Sequence, residues 1–529
     1  MAVRAPRAAD RAKAIDLIAA AKTAEAAGDA AGARAMLMEH RAAFSRVPPA
    51  YDAAIGRLSL SVGDAPAAIE YFTSAIDRVG DEAPLQWRRN LGTAMLLDGQ
   101  IDAAGGEFCA VTATGVAITR RASVAAMEAF RQAETDAAAA AAYRCLARAE
   151  LLADAGNVAG AHALLEQQRG AWPTVPAAYE AALGRLSLML HDWADAALHL
   201  ERARDTWRGE LPAGVRRSLG TALFAIGRFA EAGRELSLAV DQGAVLGETA
   251  PRVAVNAYRA ASGSGEKLDT RFGRSQVIMD RERRLVYCSI PKNGCTLLKA
   301  NIFMNAPYRE DYLASGQSVH DYAKKIVAED LPTGALTSDQ YFRFAVLRDP
   351  LRRLLSAYLN RLVRGRKSPE PFDVVQIART TREAQASLGV PHDPARSISF
   401  EEFVRYLSTA ADVQCDVHWM PQVNLVGTDL SVFSHVGKVE RMDETLDMLA
   451  SRFGYTVERD IGPHLRHSSE HITRYSETAA LAQPYRALPD ELDAHEDNIP
   501  MPGLFYTAEL RELAERRYAA DLALYAEVK

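Results

Sequence analysis

Shifted by 128 positions, the first half of this 529-residue chain aligns with itself. VPPAYDAAIGRLSLSVGDAPAA from Val47 falls on VPAAYEAALGRLSLMLHDWADA from Val175, and RRNLGTAMLLDGQIDAAGGEF from Arg88 on RRSLGTALFAIGRFAEAGREL from Arg216. The same offset sets Gly28 over Gly156 without a gap, so residues 13–130 are duplicated in 141–258. No single motif restricts the fold as strongly. Duplicated units present the same faces to their neighbours, and stacking them buries a continuous core that one copy cannot bury alone.

A shorter period lies inside each copy. Gly28, Gly63 and Gly99 are 35 and 36 residues apart, and Gly156, His191 and Gly227 repeat those spacings. Each ends one apolar-periodic segment and begins another, the rhythm of helix–turn–helix units. Tyr51, Gly56, Gly63, Ala68, Phe72 and Ala75 resemble a tetratricopeptide repeat, and Leu91, Gly92, Gly99, Ala104 and Phe108 repeat the pattern. Small residues let helix axes approach, and the larger apolar residue of the next turn fills the groove. The expected fold for 1–262 is a tetratricopeptide-like α-solenoid. The plainer reading is an undifferentiated helical bundle. Such an array serves either as a docking surface for a protein or substrate, or as a spacer or dimerisation element. The oligomeric state stays open.

Alanine dominates this half and thins out in the second. Net charge is -6, which argues against bulk coating of nucleic acid. The five cysteines (109, 145, 288, 295 and 415) are too scattered for a disulfide framework, and no CxxC pair marks a structural zinc. No apolar run approaches the roughly 20 residues that span a bilayer, and the N-terminal segment lacks a signal-peptide core. These features predict a cytoplasmic protein without a transmembrane segment, and the alanine-rich composition points to a bacterial source.

At Ala261-Ser-Gly-Ser-Gly-Glu the helical period stops, and a second domain is expected over 270–529. RRLVYCSI (283–290) and YFRFAVL (341–347) read as strands, each running into a loop and then a helix. That order builds an α/β domain with a mostly parallel, P-loop-like sheet, whose ligands sit at the strand C-termini. The first loop is Pro291-Lys292-Asn293-Gly294-Cys295-Thr296, with a helix from about Leu297. Gly294 permits close backbone approach, the helix start attracts an anion, Lys292 adds charge, and Thr296 caps the helix or donates to phosphate. It lacks the GxxxxGK[ST] spacing, and a plain Pro-Lys turn is the alternative. The second loop is Arg348-Asp349-Pro350, with Asp349 placed to cap a helix and Pro350 at its first position. From Arg343 to Lys367 there are eight basic residues and one acid, Asp349. We expect Arg348 to bind phosphate, and Arg352, Arg353 and Arg361 to form a solvated helix face.

Together IPKNGCTLLK and FRFAVLRDPLRRLLSAYLNRL resemble the 5′-phosphosulfate and 3′-phosphate elements of sulfotransferases, most nearly the carbohydrate group containing the HNK-1 and chondroitin 4-O enzymes. SVHDYAKK (318–325), FEEFVRYL (400–407), CDVHWMPQ (415–422), FSHVGKVERMDE (433–444) and LRELAERRYAADLALY (510–525) agree, so the resemblance covers residues 280–527. It implies a sulfuryl donor, 3′-phosphoadenylyl sulfate (PAPS), and no metal. By resemblance Lys292 would stabilise charge on the leaving phosphate, with Asn293, Gly294, Cys295 and Thr296 wrapping that group. Arg348 and Ser356 would hold the 3′-phosphate, although a small residue such as Ser356 also suits a helix crossing. Arg466, in His464-Leu-Arg466-His467-Ser468, resembles a late basic loop that closes over the donor.

Transfer to a hydroxyl needs a general base. His320 lies between the two loops. His418 is its rival, with Trp419 beside it as a sugar platform or a core residue; Glu401 or Glu440 would serve otherwise. The implied activity is a PAPS-dependent sulfotransferase acting on a glycan or glycolipid. The alternative is a repeat scaffold whose second half only binds nucleotide. A kinase is disfavoured because no Walker-type lysine or magnesium motif is present. Residues 363–398, with GRKSPEP and GVPHDPARS, read as an irregular lid or insert.

Overall fold

The computed structural model describes every residue except 1–7, 173, 272, 274–275, 306, 329–339, 366–370, 394, 460–474, 477–480, 495–498 and 529. It divides into two compact units, Met1–Leu211 and Pro212–Lys529.

Among its described residues the first unit is built from helices and their turns. Its helices pair as the sequence periods require, for example Pro49–Ser61 with Ala65–Val79 and Ala177–Met189 with Trp193–Thr206. These are tetratricopeptide-like repeats, and the duplication reaches individual contacts. A Cβ on Gly56 would stand 3.0 Å from the Phe72 ring, and one on Gly184 would stand 2.5 Å from Leu200 Cγ. The buried Tyr51 hydroxyl donates to the Leu37 carbonyl at 2.8 Å, and Tyr179 donates to Leu165 at 2.7 Å. Arg41 pairs with buried Asp52 as Arg169 pairs with buried Glu180. The turn glycines Gly28, Gly63, Gly99, Gly156 and Gly227 have φ between 79° and 89°, where an L side chain is strained. His191 occupies the same turn position with φ 62°.

The second unit opens with three helices, Ala213–Ala225, Phe229–Asp241 and Thr249–Ser262. The first two keep the repeat geometry: a Cβ on Gly220 would lie 2.5 Å from Leu236 Cγ. All three nevertheless belong to the compact unit of the sheet domain, although the composition changes only near residue 262. Val253 and Ala254 share one core with the sheet residues Val277, Val286 and Ala345. Arg379 lies 5.2 Å over the Phe229 ring.

The sheet has four strands in the order β1 (Val277–Asp280), β2 (Leu285–Cys288), β3 (Phe342–Leu347) and β4 (His435–Lys438). β1 pairs antiparallel with β2, while β2–β3 and β3–β4 are parallel. Both faces are buried, with period two. Val286, Cys288, Ala345 and Leu347 enter one core; Leu285, Tyr287, Phe344 and Val346 enter the other. On the second face Tyr287 and Phe344 stack in register, 4.8 Å apart. The segment 371–387, expected to be irregular, is a helix, Pro371–Ser387. Its Arg379, Thr380, Thr381, Ala384 and Gln385 are buried, so in this stretch the apolar environment overrides the polar composition.

Candidate active site

The first loop leaves β2 at its C-terminal end and enters the helix Cys295–Phe303. Lys292 and Gly294 both have left-handed backbones, φ 71° and 70°. Gly294 is the cap residue, and no side chain caps the helix, so its first N–H groups face the loop. A Cβ on Gly294 would lie 2.4 Å from Met442 Cε. A larger residue here would have to displace the Met442 methyl group and would also be strained by the positive φ. Cys295 and Thr296 form the first turn, both half-buried.

Lys292 pays a conformational cost of about 1–2 kcal/mol for its left-handed backbone, and its neighbours hold it there. Arg348 leaves β3 and donates from Nη1 to the Lys292 carbonyl at 2.8 Å. Asn293 is fully buried, and its Nδ2 donates to the Val346 carbonyl at 2.8 Å and to Gln422 Oε1 at 2.6 Å. Gln422 also accepts from the Arg348 N–H at 3.2 Å and donates to the Arg348 carbonyl at 3.0 Å. One amide thus fastens both loops. The Gln422 and Val423 N–H groups in turn donate to Asp521 of the closing helix at 2.7 and 2.9 Å. Burial raises the Asp521 carboxyl above its ordinary range despite those donors.

The helix after Arg348 starts as expected, with Asp349 Oδ1 accepting from the Arg352 N–H at 2.9 Å and Pro350 in the first turn. Arg352 is exposed. Arg353, expected on the same solvated face, is 1% exposed. Its guanidinium donates to the carbonyls of Pro291 (3.1 Å), Met420 (2.7 Å) and Val417 (2.8 Å). It ties the first loop to the 415–422 segment. Ser356 is half-buried further along this helix. The winding then changes to π over Tyr358–Arg364, a local irregularity often found at functional sites. This turn carries Asn360, whose Oδ1 accepts from Lys292 Nζ. It also carries Arg361, which is half-buried rather than solvated.

Both histidines border the first loop. His320, on the helix Val319–Ala328, has Nε2 at 3.1 Å from the Thr296 hydroxyl. Thr296 therefore faces His320 and does not cap the helix. His418 Nδ1 pairs with Asp416, which also accepts the His418 N–H at 2.9 Å. Burial, together with the positive charges of Arg361 and Lys292, pushes the His418 imidazole down to about 4 against the pull of Asp416. Asp416 is held below its ordinary range by His418 and Arg361, which outweigh its burial. At neutral pH the pair is a carboxylate and a neutral imidazole with Nδ1–H donating and Nε2 free to accept.

Trp419 is a core residue, 1% exposed and edge-on to Phe403 at 5.4 Å. Glu401 is engaged by Arg405 and Arg486, and Glu440 accepts from the Tyr525 hydroxyl at 2.8 Å. Arg466, with His464 and His467, lies outside the described residues. Sequence reasoning missed Asn360, Asp416, Gln422 and the inward role of Arg361. Asp416 and Gln422 do lie within the quoted segment CDVHWMPQ, and Asn360 and Arg361 within the Arg348 segment, so the signal was the motif and not the residue.

Fold and loops together define an α/β domain that sets an uncapped helix start, Lys292 and Arg348 at its strand C-terminal ends. Residues 275–526 match the family model described as the sulfotransferase family, and this half of the chain is a domain of that family. It is similar to carbohydrate sulfotransferase 14 of Danio rerio, 26% identical over 182 residues, covering 34% of this chain and 48% of that protein. Human carbohydrate sulfotransferase 9 is 25% identical over 205 residues, covering 38% and 46%. Human carbohydrate sulfotransferase 10 is 27% identical over 205 residues, covering 35% and 54%. The chain spans about half the length of the curated relatives it matches. Among solved structures, a tetratricopeptide repeat protein from Parabacteroides merdae matches at 15% identity with TM-score 0.22, covering 44% of this chain and 93% of that one. The repeat assignment rests on the helix pairs themselves.

Proposed function

We propose that the second unit transfers a sulfuryl group from PAPS to a hydroxyl of a carbohydrate or glycan-containing acceptor. The observation that carries this reading is the Lys292–Thr296 loop, left-handed at Lys292 and Gly294 and leading into an uncapped helix, joined to Arg348 in a domain of the sulfotransferase family. The donor would supply an activated sulfuryl group and an adenosine bisphosphate leaving group. Lys292 and the N–H groups from Gly294 to Thr296 suit its 5′ end, and Arg348 with Ser356 suits the 3′-phosphate. Asn293, with its side chain buried in the Val346–Gln422 contacts, contributes backbone only.

In this reading the chain acts by position and charge. Lys292 stabilises negative charge at the leaving oxygen. His418 takes the acceptor proton at Nε2, and Asp416 fixes its tautomer and steadies the imidazolium that results. His320 orients the Thr296 hydroxyl at the loop. All five cysteines are free thiols, which supports a reducing, cytoplasmic setting. Among the described residues no helix is long and apolar enough to cross a membrane.

The test is calorimetric titration with adenosine 3′,5′-bisphosphate, followed by transfer from labelled PAPS across a panel of glycans. Binding and transfer support the reading. Binding with no transfer to any acceptor would favour a nucleotide-binding scaffold.

A further inference from the structure

Two contacts from a single chain segment control Lys292. Arg348, at the end of β3, fixes its carbonyl at 2.8 Å. Asn360 engages its ammonium through Oδ1. Between these two residues the helix runs as α from Pro350 to Ala357 and as π from Tyr358 to Arg364. The wider turn changes the direction in which each following side chain points, relative to continued α winding. It is held in that form by its core residues. Tyr358, Leu359, Leu362 and Val363 are buried, and the Tyr358 hydroxyl donates to the Ile398 carbonyl at 3.1 Å. Asn360 is thus presented to Lys292 from a rigid support, and Lys292 itself sits in a left-handed backbone that fixes where its side chain begins.

The chemistry of an amide at this point is specific. An ammonium needs acceptors to keep its direction, yet a carboxylate acceptor would neutralise it and compete with an incoming anion. An amide oxygen orients the charge without itself neutralising it. Resting on the sulfotransferase reading above, we infer that Asn360, carried on the π turn, is a positioning residue that aims the Lys292 ammonium at the donor's phosphosulfate end. It touches the lysine and not the reacting atoms.

Asn360→Ala, Asn360→Asp and Asn360→Gln in the full-length chain test this, after circular dichroism confirms that each folds. Without nucleotide, reductive methylation read by mass spectrometry should modify Lys292 faster in Asn360→Ala than in wild type. In calorimetry with adenosine 3′,5′-bisphosphate, Asn360→Asp should bind about 10-fold more weakly, while Asn360→Ala stays within about 3-fold of wild type. In transfer from PAPS, Asn360→Ala should lose about 10-fold in kcat with little change in donor KM, and Asn360→Gln should recover part of it. Wild-type methylation and kcat in Asn360→Ala, or bisphosphate binding by Asn360→Asp equal to that of Asn360→Ala, would overturn the inference. A wild-type chain that binds no bisphosphate would instead overturn the functional reading, and the donor-directed role of Asn360 with it.

Discussion

Arg353 offers a quantitative test of how the candidate-site loops are held. It is 1% exposed and donates to three carbonyls, those of Pro291, Met420 and Val417. Replacing it with alanine leaves three carbonyls, one buried and two part-buried, without their charged donor and opens a cavity. At about 1.5 kcal/mol for each such hydrogen bond, the loss is about 4 kcal/mol. At about 2.1 cal/mol/K per residue, a unit of this size shifts by about 1.5 °C per kcal/mol, so the melting point of the second unit should fall by about 6 °C. Differential scanning calorimetry reads it directly. Arg353→Met fills the volume and removes the buried charge, so it should recover part of the loss. Arg353→Lys keeps the charge but cannot span three acceptors in one plane, and it should stay well below wild type. A melting point within about 2 °C of wild type for Arg353→Ala would refute the argument, because it would mean that the three carbonyls need no donor.

Other consequences follow from the same contacts. His191→Gly relieves a left-handed backbone at a turn where the equivalent positions are glycine, and it should stabilise the first unit by about 1 kcal/mol in urea denaturation; a loss of stability would contradict the repeat geometry. Gly184→Ala sets a Cβ 2.5 Å from Leu200 Cγ and should cost about 1–3 kcal/mol, whereas Gly214→Ala, with nothing within 4 Å, should be neutral or stabilising. Equal effects in the two variants would count against close helix crossings. His418 is held near 4 in the folded chain against 6.5 ordinarily. As pH falls from 6.5 to 4 the unfolded chain takes up a proton that the folded chain refuses. The contribution to stability is intact above 6.5, and about 3 kcal/mol of it is lost by pH 4. His418→Gln should abolish that loss in denaturation curves taken across this window, and parallel curves for the two proteins would exclude it. A fragment starting at Pro212 keeps Val253, Ala254 and Phe229 in the shared core and should melt cooperatively. One starting at residue 263 removes them and should melt lower or aggregate; identical melting would show that the last repeat helices are dispensable.

The repeat half was legible because it is written twice. Gly56, Gly92, Gly184 and Gly220 stand opposite larger apolar residues, and that pattern is local in sequence. The two strands and their loops were equally legible, since β-rich runs end directly in glycine or in Asp-Pro. Three features were not legible, each because a distant element decides it. Arg353 looks like its exposed neighbour Arg352 until Met420 and Val417 fold over it. The segment 371–387 has the polarity of a loop, yet buried Arg379 finds the Phe229 ring, and Glu383 accepts from the Tyr406 hydroxyl at 2.6 Å. The π winding that delivers Asn360 has no signature in the period of Leu351, Leu354, Leu355, Tyr358 and Leu362, which reads as an ordinary helix. The boundary near residue 262 follows composition, whereas the compact units part at Leu211, because the last three helices are packed into the core of the second unit.

In the proposed function Lys292 and Arg348 form the donor site of a sulfuryl-transferring domain. The most direct measurement is transfer of label from PAPS to a glycan acceptor by the wild-type chain and by Lys292→Ala and Arg348→Ala, with folding checked in parallel. Wild type should transfer the label, and both folded variants should lose that transfer or show it severely reduced. Full transfer by either variant would contradict the proposed donor site.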